Sequence, residues 1–260
     1  MSAPSVAAAR RAPRSVGAPA GARPKARMPR RVIAGAPAER VANAPAKAAQ
    51  PEPNDAPAVR ARIFEAARAE FADKGLAGAR IDAIADVAGS NKRMIYYYFE
   101  SKEALYLAVL EDTYIDMRRR EAGLRLETLE PVEAIRQLVR FKFDYCDTHP
   151  HLIGLLAGEN LLGARYLRQS TRLRELHVSL VETIGGLLKR GVKAGRFRRQ
   201  VDPLELYMSI AALSYFYFSN RATLATAFGQ PLDTPEAQQR RREHAVDVIL
   251  GYLRPVESSS

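Results

Sequence analysis

The sequence predicts an all-α protein built as a short N-terminal three-helix domain followed by a larger helical one. Three observations carry this prediction. From Ala58 onward apolar residues recur at three- and four-residue spacing. The gaps between these stretches hold proline, glycine and acidic or hydroxyl residues arranged as helix starts and stops. Finally, there is no alternating strand pattern of useful length and no internal repeat.

Val59, Ile63, Ala67 and Phe71 recur every four residues, with Phe64 on the same face, and Gly75 is placed to end that first helix. Two short helices follow around Ile81–Ala88 and Lys92–Phe99. A long helix is predicted from Lys102 to about Arg125, and another from Pro131 to about Asp147, before Pro150 breaks the chain. Residues 151–162 and 166–194 read as two more, the second stopped by Gly195. Asp202-Pro203-Leu204-Glu205 combines an N-cap, a first-position proline and a capping-box acid. Thr234-Pro235-Glu236 repeats that grammar before a last helix to about Leu253.

The chain has 260 residues, 47% of them apolar, enough for a sizeable core. No apolar run approaches the roughly 18 residues a membrane helix needs, and the first residues lack the apolar stretch of a secretory signal. A single cysteine, Cys146, cannot form an internal disulfide or a two-thiol metal site, and fits a reducing, cytoplasmic location. Residues 1–57 carry ten Lys/Arg against three acids, so +7 of the +11 net charge lies there. This segment has no aromatic residue and no apolar period, and is expected to be a disordered basic tail. A non-specific DNA-tethering arm and an organelle transit peptide, which its Arg-rich, acid-poor make-up also resembles, are the other readings. With the tail set aside, DNA binding by the folded part must be argued from the placement of individual charges.

That placement is found in residues 81–99. Ile81, Ile84, Ala85 and Ala88 share one face of a short helix, and Gly89 supplies positive φ where two helices cross closely. Asn91 can cap the next helix, whose inward face is Ile95, Tyr98 and Phe99. Lys92, Arg93, Met94, Tyr96 and Tyr97 are left outward. In a helix-turn-helix the N-terminal residues of the second helix meet base edges in the major groove. Lys and Arg suit guanine acceptors and a methionine methyl suits thymine, while tyrosine hydroxyls further along can hold phosphates. Lys102, at the start of the next helix, is suited to a phosphate as well.

Residues 59–110 resemble the DNA-binding domain of the TetR family of repressors. The resemblance rests on Phe71-Ala72-Asp73-Lys74-Gly75, Ile84-Ala85-Asp86-Val87-Ala88-Gly89, Ile95-Tyr96-Tyr97-Tyr98-Phe99 and Ser101-Lys102-Glu103-Ala104-Leu105. It implies that Lys92, Arg93 and Met94 face bases and that Tyr96, Tyr97 and Lys102 bind phosphates. It also implies a homodimer built by the last two helices of each subunit, with a small-molecule effector among the middle helices. Two departures stand out. Arg80 replaces the family's usual Thr or Ser, so that cap is lost, although Arg80 can reach a phosphate and Asp82 favours the helix dipole. Ser90-Asn91-Lys92-Arg93-Met94 replaces the common Val-Ser-x-Gly-Thr, which bears on the operator sequence.

The resulting division is 1–57 tail, 58–104 helix-turn-helix domain, and 105–254 effector-binding and dimerisation domain. Four consecutive aromatics, Tyr215-Phe216-Tyr217-Phe218, surround one helix on all sides, which implies both partner packing and a cavity wall. Glu159-Asn160-Leu161-Leu162-Gly163-Ala164-Arg165-Tyr166-Leu167 resembles the sensor domain of regulators of pyrimidine and nicotinate breakdown. On that basis Asn160, Arg165, Tyr166, Tyr215, Phe218 and Arg221 are candidate effector contacts, for a heteroaromatic acid or base. Surface ion pairing is the plainer role for Arg165. His149-Pro150-His151 lacks the third and fourth ligands of a metal site, and Cys146 with His149 lacks an orienting partner, so neither metal, cofactor nor catalysis is expected. The function these readings converge on is a ligand-responsive DNA-binding transcriptional regulator, released from its operator by a small molecule. A sequence-independent nucleoid protein and a helical enzyme are the rival classes; the second lacks any nucleophile–base pair or phosphate loop.

Overall fold

The computed structural model describes residues 56–255. The expectations for the basic tail lie almost wholly outside this range. Among the described residues there are nine α-helices and no strand. They are α1 Ala56–Gly78, α2 Ile81–Val87, α3 Lys92–Phe99, α4 Lys102–Ala122, α5 Pro131–Thr148, α6 His151–Leu161, α7 Thr171–Lys193, α8 Pro203–Phe228 and α9 Pro235–Leu253. No described helix is long and apolar enough to cross a membrane.

The helix ends follow the local chemistry. Gly75 breaks α1 with φ of 63°, leaving one further turn. Asn91, Ser101, Ser170, Asp202 and Thr234 each cap a helix by accepting from the backbone N–H three residues on. One expectation needs correction. Residues 166–194 are not one helix, because a 3-10 turn, Leu167–Gln169, precedes the Ser170 cap of α7. Its cause lies in the preceding loop. Gly163 and Ala164 take positive φ, and the buried Glu159 carboxylate accepts from the Tyr166 and Leu167 amides at 2.7 and 2.9 Å. Those amides are thereby held in a loop instead of a helix.

Two large cores organise the chain. Helices α1–α4 close around Ile63, Phe71, Ile84, Ile95 and Leu105, all fully buried. Helices α5, α7, α8 and α9 close around Ile135, Leu138, Ile184, Ile210 and Val246. A smaller cluster of Met117, Tyr145, Cys146 and Leu152 lies on α4, α5 and α6. The expected boundary at 104/105 falls within the first turn of α4, which therefore belongs to both parts.

Helix α6 adds a second tie to α1. Gly154 lies so close to α1 that a Cβ there would stand 2.1 Å from the Ala72 carbonyl oxygen, and Gly158 lies against Gly75. Tyr106 of α4 is fully buried beside this contact, edge-on to Phe71 at 5.1 Å and to Tyr166 at 5.4 Å. Helices α4 and α6 are thus both closely packed against α1.

Candidate DNA interface and sensor cavity

The pair α2–α3 is built as a rigid presenting surface. Ile81, Ile84, Ala85 and Ala88 are buried as the spacing requires. Gly89 has φ of 58°, and the Ser90 amide donates to the Ala85 carbonyl at 2.9 Å, closing the turn. Asn91 accepts from the Met94 amide at 3.0 Å. Two α1 residues, unremarkable in sequence, fix the pair from behind. Arg62 donates to the Ala88 carbonyl at 3.2 Å, and Glu70 accepts from the Arg80 amide at 3.1 Å. The latter bond holds the chain where the Arg80 side chain makes no cap.

On the outer side of α3, Lys92, Arg93, Tyr96 and Tyr97 are exposed, Tyr97 to 76%. Met94 departs from the outward placement expected of it. It is half-buried and packs with Tyr98 against the α1–α4 core. The inward face is thus four residues wide, 94, 95, 98 and 99, because neighbouring positions on a helix are only about 100° apart. Tyr98 also donates from its hydroxyl to the Ala56 carbonyl at 3.2 Å, joining α3 to the start of α1. Asp82 forms an exposed ion pair with Lys92 at 2.6 Å and lies 4.0 Å from Arg80. An acid thus sits between two of the candidate DNA-contacting cations. Lys102, half-buried, starts α4 one residue after its Ser101 cap.

The six candidate effector contacts are not brought together. Asn160 and Arg165 are exposed. Tyr166 is buried in the α1–α4 core. Phe218 packs on Phe143 at 4.9 Å, with the Arg221 guanidinium 5.8 Å from the Phe218 ring, in a different cluster. Tyr215 is half-buried on the same helix. The sequence run around residue 159 serves the loop after α6: Glu159 is its anchor.

The buried charged groups of the larger helical part lie elsewhere. Arg118 and Glu121 of α4 and Lys142 of α5 are all buried, with at most 6% exposure. Arg118 ion-pairs with Glu121 and donates to the Tyr207 hydroxyl of α8 at 2.7 Å. The Lys142 ammonium lies 3.0 Å from the other Glu121 oxygen. Burial pushes Lys142 down to about 8 despite Glu121. Tyr114 and His177 stand edge-on nearby at 5.3 Å, and burial lowers the His177 pKa further below its usual value. Arg118 and Glu121 line one end of a half-open pocket of about 310 Å³, together with Leu126, Leu176 and Leu180 and the exposed Ser179 and Thr183. None of the six candidate contacts lines it. The sequence signal, a basic and an acidic residue three apart on an otherwise soluble-looking helix, is indistinguishable from a surface ion pair.

His149 stacks on Tyr145 at 4.0 Å with its Nε2 3.8 Å from Asp116, while His151 is exposed at the start of α6. Among the described residues no three metal-binding side chains converge. Cys146 is buried in apolar surroundings that push its thiol up to about 11.

A short helix pair with cations on the outer side of its second helix, tied by α4 and α6 to a separate helical body with its own cavity, defines a helix-turn-helix DNA-binding protein. Residues 63–109 match the model of bacterial regulatory proteins of the tetR family, and residues 131–249 match the tetracyclin repressor-like C-terminal domain. The chain is 39% identical to the HTH-type transcriptional repressor NicS of Pseudomonas putida over 195 residues, 75% of this chain and 92% of that one. It is 30% identical to the HTH-type transcriptional regulator RutR of Escherichia coli O157:H7, over 74% of this chain and 89% of that one. A solved tetR-family regulatory protein from Rhodococcus RHA1 shares the fold with a TM-score of 0.61, at 14% identity, over 76% of this chain and 98% of that one. The chain belongs to the TetR family of transcriptional regulators.

Proposed function

We propose that this regulator is a repressor that binds operator DNA as a homodimer and leaves it when a small molecule occupies the sensor domain. The observation that carries this reading is the outer side of α3, where Lys92, Arg93, Tyr96 and Tyr97 stand exposed on a helix locked from behind. In this reading Lys92 and Arg93 meet base edges, and Arg80, Tyr96, Tyr97 and Lys102 hold phosphates. Asn91 sets the height of the helix in the groove as its cap. Met94 reaches a base only with its exposed edge. Contact with DNA draws Lys92 away from Asp82, exchanging an exposed ion pair of small worth for a groove contact.

Dimerisation is supported by apolar side chains left on the surface of the last two helices. Met208 and Phe216 of α8 and Val248 and Tyr252 of α9 are 41–52% exposed. The recognition helices of a dimer must stand about 34–36 Å apart to enter successive major grooves. An effector that binds better to another separation lowers operator affinity by its differential affinity for the two forms. The effector site is assigned to the cavity at Arg118 in place of the six residues suggested by the sequence.

The test is a gel-shift series on the chain's own upstream intergenic DNA against scrambled DNA of equal length, at fixed salt. Preferential retention of the upstream fragment, lost in Lys92→Ala and Arg93→Ala, is expected. Equal, steeply salt-dependent binding to both fragments overturns the reading.

A further inference from the structure

We infer that the pocket at Arg118 is an anion site, built for a small carboxylate on an apolar body. The inference rests on the regulator reading above and specifies its effector.

The argument begins with a charge count. Around Glu121 stand two cations, Arg118 and Lys142, each at or below 6% exposure. Three other polar side chains stand near Lys142. Tyr207 comes from α8, His177 from α7, with its proton affinity lowered by burial, and Cys146 from α5 itself, held protonated. One carboxylate therefore faces two buried cations, leaving a surplus of one positive charge in a low-dielectric setting. Arg118 Nε, a donor, and Glu121 Oε1, an acceptor 3.0 Å from the Lys142 ammonium, are both buried without a hydrogen-bond partner among the described residues. Arg118 lines the pocket beside Leu126, Leu176 and Leu180, with the exposed Ser179 and Thr183 also on its lining. At about 310 Å³ the space lies at the small end of ligand sites. A monocarboxylate supplies the missing negative charge, an acceptor for the guanidinium, and an apolar remainder for the leucines.

Glu121 and the exposed Glu127 also line this cavity. Glu121 is already shared by two cations, and Glu127 is in contact with water, so neither reverses the sign of the site.

Lys142 sets the balance without touching the ligand. With its proton, it and Arg118 together outweigh Glu121. Without it, Arg118 is matched by Glu121 alone and the surplus is gone. The depressed proton affinity of Lys142, to about 8, places that change within reach of experiment. An anion in the cavity stabilises the protonated form and raises its pKa, so affinity is highest below about 8 and falls above it.

The experiment uses the full chain, titrated calorimetrically with benzoate and hexanoate against benzamide and hexanamide, at pH 7.0 and pH 9.5. A carboxylate that binds at least about tenfold tighter than its amide at pH 7, and loses about tenfold or more by pH 9.5, is expected. Lys142→Met is expected to bind at pH 7 as weakly as the native chain does at pH 9.5. Lys142→Arg keeps the charge and is expected to bind well at both pH values; it carries the test if the methionine variant fails to fold. Equal binding of acid and amide, a carboxylate affinity unchanged with pH, or unaltered pH dependence in Lys142→Arg each overturns the inference. So does absence of carboxylate binding. A gel shift on the same preparation separates the two failures: retained upstream-fragment binding sinks the anion site alone, and its loss sinks the regulator reading.

Discussion

The outer side of α3 and the charge cluster at Arg118 both gather cations, but they do so in opposite ways. On α3 the groups lie within eight residues, are held by a turn glycine and one cap, and stay in water, so exposing them costs the fold little. At Arg118 the charges come from α4 and α5 and are removed from water, with a hydrogen bond to the half-buried Tyr207 of α8, 89 residues from Arg118. Each charge there is tolerable only because the others are in place. The comparison teaches that a surface built to meet a polyanion can be encoded locally. A buried charge cluster is assembled and balanced by side chains from separate helices.

The comparison can be broken most directly at Glu121. Glu121→Ala leaves Arg118 and Lys142 buried side by side without a counter-charge. It is expected to lower stability by about 3–5 kcal/mol in urea or thermal unfolding. A loss below about 1 kcal/mol makes the cluster as undemanding as a surface pair. Next in size is the tie between the two regions. Gly154→Ala places a methyl on the Ala72 carbonyl, and an expected destabilisation of about 1–3 kcal/mol accompanies separation of α6 from α1. The sharper readout is coupling: operator affinity of this variant should respond less to a bound effector than that of the native chain.

On the DNA-facing side, Lys92→Ala and Arg93→Ala are each expected to weaken the preferred site by about 1–3 kcal/mol and to relax base preference. The melting temperature should stay within a degree or so, since both side chains are exposed. A matching fall in stability would mean α3 is not the independent surface described. The smallest effect belongs to Asp82→Asn. Removing the acid that holds Lys92 at 2.6 Å should raise affinity for all DNA sequences by less than about 1 kcal/mol. Unchanged or weaker binding would place Lys92 away from the phosphates and bases.

Much of the DNA-reading half is legible residue by residue. The apolar spacing of Val59, Ile63, Ala67 and Phe71, the positive φ of Gly89 and the cap at Asn91 each follow from local rules, and all are present. Met94 was misplaced because a helix face is a continuous band, and the width of that band depends on what packs against it. Arg62 and Glu70 were missed because a side chain reaching across to another helix leaves no periodic trace. The same applies with more force to the sensor. Asn160 and Arg165 look like binding groups in the sequence, yet both face solvent, while Arg118 and Lys142 look like surface charges and are interior.

The sequence by itself determined the all-α class, the caps and breaks of most helices, and the side of α3 that points away from the core. These depend on interactions within about one or two helical turns, where residue type and spacing suffice. Only the tertiary structure decided which charges are buried, how closely α6 approaches α1 at Gly154, and where the cavity lies. Burial and approach depend on which helices become neighbours, and a carboxylate three residues from an arginine carries no mark of whether water or a lysine from another helix will stand beside it.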